Sequence, residues 1–239
     1  MDVSLPISPA LSLLEGRVLG CLIEKAFTTP DLYPLTMNAL VLACNQKSNR
    51  DPVLAVGEPE VGAALAGLRE KRLVSLFAGA DARVAKYRHT FEQVFPLDFS
   101  NEKTAWALIA ELLLRGPQTG AGLRGNCVRM VPSLEGEGVD GVEALLGELA
   151  ARAGGGLVQK LARQPGQKEA RWAQRIADEA AGAGAGMGTG AERGKGESAP
   201  LTVALAMPPE VAQRLTALEA EVAGLRGELA ELKKALGGG

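Results

Sequence analysis

The chain has 239 residues, a formal net charge of -2 and a hydrophobic share of 46%, with only 4% aromatic residues. This length accommodates about one to three small domains, whose cores have to consist mainly of Leu, Val, Ile and Ala. A charge near zero excludes a globally basic nucleic-acid-binding protein and leaves only local basic patches. We find neither a signal peptide nor a run of about 18 apolar residues, so we expect a cytoplasmic protein without a membrane span.

The cysteines Cys21, Cys44 and Cys127 are far apart and form no CxxC pair. An odd, scattered set is typical neither of a disulfide framework nor of a zinc site. We therefore expect buried free thiols that behave as small hydrophobic groups. The sequence predicts no metal site and no cofactor.

The first half of the chain predicts three helices and then a β-hairpin. Apolar residues recur at three- and four-residue spacing in each helix. Pro30 and Pro34 separate the first two helices, and a polar stretch separates the second from the third. Two short segments around a turn at 79–82 predict the hairpin. The predicted helices are 11–26, 35–46 and 59–72, and the predicted strands are 73–77 and 83–89.

The second half repeats this order. Its predicted helices are 102–115, 119–130 and 139–152, and its predicted strands are 157–162 and 169–173. The apolar positions also correspond: Leu65 matches Leu146, and Tyr87 matches Trp172. Two copies that satisfy one pattern indicate a duplicated unit. Three helices followed by a hairpin is the order of a winged helix, so the sequence predicts two of them in tandem.

The C-terminal part has a different composition. Gly, Ala and small polar residues dominate 180–199, which predicts a flexible linker. From Val211 to Leu236 apolar residues alternate at four- and three-residue spacing, which is typical of a coiled-coil seam. Opposite charges at the flanking positions favour a parallel homodimer. There are two alternatives. The segment could form a trimer, or it could be an amphipathic helix that docks on this chain or on a partner protein.

The whole prediction is an α+β, mainly helical chain of four parts. They are a first winged-helix domain at 1–98, a second at 99–176, a Gly/Ala-rich linker at 177–202 and a coiled-coil segment at 203–239.

Several motifs in the first two domains resemble a known family. The most specific is the run from Cys44 to Arg50, Cys-Asn-Gln-Lys-Ser-Asn-Arg, and the stretch from Leu14 to Lys25 is also similar. These residues resemble the YceH-like family of uncharacterised bacterial proteins over about 11–174. The resemblance implies tandem winged helices, but it implies no established activity.

The best candidate site is a set of polar and basic residues on the loop after the second helix, on both hairpins and on the predicted helix 119–130. Asn and Gln can pair with adenine, whereas Lys and Arg can reach phosphates or guanine. The candidate nucleic-acid-binding residues are Asn45, Gln46, Lys47, Asn49, Arg50, Arg83, Lys86, Arg88, Arg124, Arg163 and Lys168. The alternative is that the loop side chains hold the backbone of that loop and that the hairpin cations form weak surface ion pairs.

Two function classes remain. The third helix of a helix-turn-helix unit normally reads the major groove, but here Glu58 and Glu60 in the first copy and Asp140, Glu143 and Glu148 in the second would repel phosphates. We therefore expect a DNA-binding or DNA-associated regulator that binds without base reading. The alternative is a winged-helix protein-interaction module. We expect no enzyme, because no catalytic motif is present and the single histidine, His89, is expected on a strand at the surface.

Overall fold

The computed structural model describes residues 10–77, 84–97 and 101–178. Its first half consists of three helices, a short strand between the first two, a hairpin and a single-turn helix. In chain order these elements are α1 (Leu13–Thr28), β1 (Leu35–Thr36), α2 (Met37–Cys44), α3 (Glu58–Glu70), β2 (Val74–Phe77), β3 (Lys86–His89) and α4 (Phe91–Val94). The three strands form an antiparallel sheet in the order β1-β3-β2. A 3-10 turn at Pro30–Leu32 leads from α1 towards β1.

The second half repeats the order of helices and hairpin. Its elements are α5 (Glu102–Arg115), α6 (Gly120–Cys127), α7 (Val139–Ala151), β4 (Val158–Lys160) and β5 (Trp172–Gln174). A 3-10 turn at Pro132–Glu135 lies between α6 and α7. The strands β4 and β5 pair antiparallel. The structure is thus an α+β fold with small antiparallel sheets, as the sequence predicts at that level.

The helix starts show why these segments fold locally. The Ser12 hydroxyl accepts a hydrogen bond from the Glu15 N–H at 3.2 Å, and the Glu15 carboxylate accepts one from the Ser12 N–H at 2.7 Å. This reciprocal capping box satisfies two of the otherwise unpaired donors at the start of α1. Thr36 and Thr119 cap α2 and α6 through their hydroxyls alone, each accepting from the N–H three residues later.

The backbone pairing makes the two halves correspond residue by residue. In the first half Leu35 pairs with Tyr87, and in the second Gln118 forms an isolated bridge with Trp172. In both halves the capping Thr follows the paired residue directly. The correspondence of Tyr87 with Trp172, predicted from the sequence, therefore holds in the strand pairing.

The two halves pack on each other through their first helices, and α1 makes its most extensive helix contact with α5. Small residues allow the close approach: a Cβ on Gly16 would lie 2.7 Å from the Ala177 Cβ, and one on Gly20 would lie 3.0 Å from Leu114. Leu11 also exchanges backbone hydrogen bonds with Ile176 and Asp178. The described residues belong to one compact unit. Helices α1 and α5 are buried on most faces, which shows that they lie at the centre of this unit.

Some predicted elements differ from the observed ones. The sequence predicts Leu35 and Thr36 in the second helix, but they form β1, because their backbone pairs with β3 and Thr36 caps the helix instead of extending it. The linker beyond residue 178, the coiled-coil segment and the turn at 79–82 lie outside the described residues. Within the part that is described, no helix is both long and apolar enough to cross a membrane.

Candidate nucleic-acid interface

The loop after α2 divides into residues that hold the fold and residues that face outward. The Asn45 side chain donates to the Val56 carbonyl at 2.7 Å and accepts from the Val56 N–H at 2.9 Å, so it closes the loop. The Gln46 Oε1 accepts from Arg50 at 2.8 Å. Lys47 and Asn49 are exposed, and Asn49 has a φ of 55°, a left-handed conformation that Asn tolerates better than most residues.

Arg50 lies in the interior. Its side chain is 0% exposed and forms a two-pronged ion pair with Glu24, through distances of 2.6 and 3.1 Å. Its remaining donors go to the carbonyls of Ala43 and Asn49 and to Gln46. The prediction that Arg50 lies at a ligand-binding surface is therefore corrected: this guanidinium has its partners inside the protein.

The same buried acid joins the two halves. Glu24 on α1 also pairs with Arg129, which follows α6, and Arg129 donates to Glu111 on α5 at 2.9 Å. Glu111 in turn pairs with Arg115 at 3.2 Å. Burial by itself would raise the pKa of Glu24, but the hydrogen bonds and charges of Arg50 and Arg129 hold that pKa below its ordinary value. Glu24 is therefore a carboxylate that holds two arginines from different halves.

On the first hairpin Arg88 is exposed and donates to the Ser75 hydroxyl at 3.1 Å, while Lys86 is half-buried. Arg83 lies outside the described residues. Beside these cations the hairpin carries three large apolar side chains on its surface, because Leu76, Phe77 and Val84 are 42%, 51% and 57% exposed. The hairpin therefore presents a mixed apolar and basic surface.

On the second hairpin Arg163 and Lys168 are both exposed on the turn between β4 and β5. Lys160 is less free, because its Nζ lies 2.8 Å from the Glu143 carboxylate and 5.1 Å from the centre of the Trp172 ring. Glu143 also accepts from the Trp172 indole N–H at 3.1 Å. The acid predicted to face outward on α7 thus fastens the hairpin to that helix.

Arg124 on α6 has a role in the fold. Its guanidinium donates to the carbonyls of Leu134, Glu135 and Glu137, at 3.2, 3.4 and 3.1 Å. These bonds hold the turn between α6 and α7. Like Asn45 and Gln46, Arg124 is a predicted site residue whose polar atoms satisfy the backbone of a nearby loop.

The third helix of each half has an exposed face that is acidic or neutral at its start. On α3 this face includes Glu58 and Ala63, whereas Glu60 accepts from the Gly57 N–H and caps the helix. On α7 it includes Asp140 and Glu148. Base reading by these helices is disfavoured, because carboxylates would approach phosphates.

Residues that the sequence reasoning missed are mostly buried polar groups. His89 was expected at the surface, but it lies on β3, the middle strand, and its side chain is 10% exposed. Its ring contacts Trp106 edge-to-face at 5.8 Å, and its Nδ1 lies 3.5 Å from a Glu92 oxygen. Glu24 and Arg17 were also missed, although a charged residue inside a helix that is otherwise apolar on most faces is a signal of a buried polar cluster.

Cys21, Cys44 and Cys127 are free and buried, as predicted. Within residues 10–77, 84–97 and 101–178, no group of three or more His, Cys, Asp or Glu side chains has an arrangement that fits a metal ion.

Comparison with known proteins places the chain in a family. A family model described as "Protein of unknown function, DUF480" matches residues 11–167. A UPF0502 protein of Pelobacter propionicus is 45% identical over 224 residues, which cover 94% of this chain and 94% of that protein. A UPF0502 protein of Geobacter sulfurreducens is 51% identical over 169 residues, covering 71% and 73%.

Similarity over 94% of the chain has to extend well past residue 180. It therefore includes part of the C-terminal segment, beyond the stretch 11–174 on which the family resemblance rests. On the family model and these relatives together, the chain belongs to the DUF480/UPF0502 family of uncharacterised bacterial proteins.

Proposed function

We propose that each half is a winged helix, the fold that the YceH-like resemblance implies, and that the chain binds duplex DNA through its phosphate backbone. The fold proposal is supported by the repeated order of three helices and a hairpin. It is also supported by the pairing of the segment before each second helix with the second hairpin strand, at Leu35–Tyr87 and at Gln118–Trp172.

The observation that carries the DNA proposal is the distribution of exposed charge. Cations that face outward occur on both hairpins and on the loop after α2, whereas the third helices begin with acids. Contacts from side chains on loops and hairpins to phosphate oxygens position a protein on DNA without reading its sequence. The proposed contact residues are Lys47, Asn49, Lys86, Arg88, Arg163 and Lys168.

This proposal leaves out Asn45, Gln46, Arg50 and Arg124, because their polar groups bond within the fold. It predicts weak and non-specific binding with a steep salt dependence, since each phosphate contact releases counterions. Arg163→Gln should lower the affinity about equally for all sequences and reduce the salt slope by about one unit.

The test is a titration of the full chain into a labelled duplex of random sequence, followed by fluorescence anisotropy at several salt concentrations. Lys103→Gln is the matched control, because Lys103 is exposed but belongs to neither hairpin. Equal effects of Arg163→Gln and Lys103→Gln would show that binding follows net charge and not this surface. Absence of binding at low salt would reject the DNA proposal.

A protein-interaction module is the second candidate, and the exposed apolar side chains of the first hairpin favour it. Such residues are typical of the buried centre of a protein interface. This alternative predicts that Phe77→Ser removes a partner from affinity purifications of the full chain, while Arg163→Gln leaves the partner bound. The opposite pattern would favour the DNA proposal.

A further inference from the structure

Two cysteines of the first half lie together in the interior. Cys21 belongs to the middle of α1, and Cys44 is the last residue of α2. Both are 0% exposed, and each thiol affects the pKa of the other. Helices α1 and α2 pack on each other, so the chain holds two thiols from different elements side by side.

Two arginines accompany this thiol pair. Arg17, one turn before Cys21 on α1, donates to the Cys44 carbonyl at 3.2 Å and to the Pro52 carbonyl at 2.7 Å. Arg50 donates to the Ala43 carbonyl at 3.1 Å. Both guanidinium groups act electrostatically on both thiols. The thiols therefore lie in a buried environment in which two guanidinium groups and, at Cys21, the Glu24 carboxylate act on them.

Arg17 lacks the carboxylate ion-pair partner that Arg50 has. Arg50 has Glu24 as its carboxylate partner, but Arg17 forms no ion pair with any described residue and its Nε has no hydrogen-bond partner. The exposed Asp51 acts on Arg17 more weakly than Cys21 does. A buried cation without an anion is strongly unfavourable, and the Cys21 sulfur is the nearby group that can provide the negative charge.

The two thiols are also different from each other. Burial and the Glu24 charge would raise the pKa of Cys21, but the interaction with Cys44 and the Arg50 and Arg17 charges bring that pKa below its ordinary value. The interaction with Cys21, together with burial, raises the pKa of Cys44. One thiolate beside one thiol is the pair that a thiol oxidation requires, because the thiolate is the nucleophile.

We propose that Cys21 and Cys44 are a redox modification site, which hydrogen peroxide oxidises to an intramolecular disulfide. The Cys21 thiolate attacks a peroxide oxygen, so that an S–O bond forms, the O–O bond breaks and hydroxide leaves. Cys44 then attacks the Cys21 sulfenic acid, so that the S–S bond forms and the S–O bond breaks. The hydroxide released in the first step takes the Cys44 proton and becomes water, and the hydroxide released in the second step carries away the charge of the original thiolate. Two electrons pass from the two sulfurs to the peroxide.

Access to the buried sulfurs requires a local opening, and the chain after α2 is the segment suited to it. The helix α2 has only eight residues, and the exposed residues Lys47, Ser48 and Asn49 follow it. Short elements with exposed backbone open at lower free energy than the core. A disulfide at Cys44 would fix the start of this loop. Any effect of the disulfide on DNA binding rests on the function proposed above.

Cys127 serves as an internal control. It is equally buried and is the last residue of α6, but burial and the nearby Glu111 raise its pKa. Under the same peroxide treatment it should stay reduced.

The experiment treats the full chain with hydrogen peroxide, denatures it, alkylates the remaining thiols with N-ethylmaleimide and measures intact and peptide masses. We expect the loss of two alkylation sites together, a Cys21–Cys44 cross-linked peptide and full alkylation of Cys127. Cys44→Ser should leave a sulfenic acid on Cys21 that dimedone traps. Cys21→Ser should leave Cys44 reduced. None of these measurements depends on DNA binding.

The arginine contribution is tested by comparing Arg17→Leu with Arg17→Lys. Arg17→Leu should slow the oxidation of Cys21, by up to about tenfold for each unit by which the thiol pKa then exceeds the ambient pH, and Arg17→Lys should restore most of the rate. The proposal is overturned by oxidation of Cys127 as fast as Cys21, by unchanged oxidation of Cys44 in Cys21→Ser, or by three alkylated thiols after peroxide treatment.

Discussion

The buried acid that joins the two halves provides the sharpest test of the structure. Replacing Glu24 by Gln keeps the size of the side chain but removes its charge. Arg50, whose side chain is 0% exposed, then loses its only carboxylate partner among the described residues. Arg129 is affected less, because its side chain is 30% exposed and it keeps Glu111.

Most of the expected loss of folding stability comes from leaving Arg50 without its partner. Removing one partner of a buried ion pair destabilises a protein by about 3–5 kcal/mol, because the other charge stays buried without compensation. This is a large share of the net free energy of unfolding, which is only about 5–15 kcal/mol for small domains. Glu24→Gln should therefore shift the urea midpoint of the full chain strongly, measured by far-ultraviolet circular dichroism with an unchanged slope.

The control is an ion pair at the surface. The Lys160 side chain is 51% exposed and pairs with Glu143, so Lys160→Gln should cost only about 0–1 kcal/mol. A double variant, Glu24→Gln with Arg50→Leu, should be less destabilised than the sum of the two single variants, because the two side chains interact directly. Similar midpoints for Glu24→Gln and Lys160→Gln would refute the reasoning.

The same pair predicts a pH dependence. The folded-state pKa of Glu24 is lowered by its arginines. The contribution of Glu24 to folding stability is therefore fully present above its unfolded-state pKa of about 4.3. That contribution is lost as the pH falls through the lower folded-state value. The acid limb of the stability curve should therefore be less steep in Glu24→Gln than in the wild type.

Three further predictions concern other parts of the chain. Gly16→Ala should destabilise the protein by about 1–3 kcal/mol, because the new Cβ would lie 2.7 Å from the Ala177 Cβ. Gly147→Ala should instead stabilise it by about 0.5–1 kcal/mol, since open space surrounds that helical position; thermal unfolding of both variants measures the opposite signs. Burial lowers the folded-state pKa of His89 despite the raising effect of Glu92. The contribution of the neutral imidazole to folding stability is therefore complete above about pH 6.5 and declines below it. His89→Gln should reduce the slope of stability against pH in that range, and an unchanged slope would contradict the buried position. The heptad pattern predicts that Leu225→Asp converts a homodimer into a monomer in sedimentation of the full chain; a wild-type monomer would reject the coiled-coil prediction.

Much of the local structure follows from the sequence, because helix periodicity and capping depend on residues a few positions apart. The helix Glu102–Arg115 is predicted with its observed ends. Helix α1 lies two residues later than predicted, and α7 ends one residue earlier. The duplication is also a property of the sequence, since Leu65 and Leu146, or Tyr87 and Trp172, occupy corresponding places in two similar patterns. For the coiled-coil segment the heptad pattern remains a prediction.

The site depends on contacts that no local pattern encodes. Leu35 and Thr36 form a strand because their partner Tyr87 is far along the chain. The residue types from Asn45 to Arg50 indicate a polar loop. Only the packing of α1 against this loop decides that Arg50 turns inward to Glu24 while Lys47 stays outside. The same is true of Arg129, whose partner lies on α1 in the other half. A charge is buried only where the tertiary fold supplies a counter-charge and excludes water, and both conditions are set by residues distant in sequence.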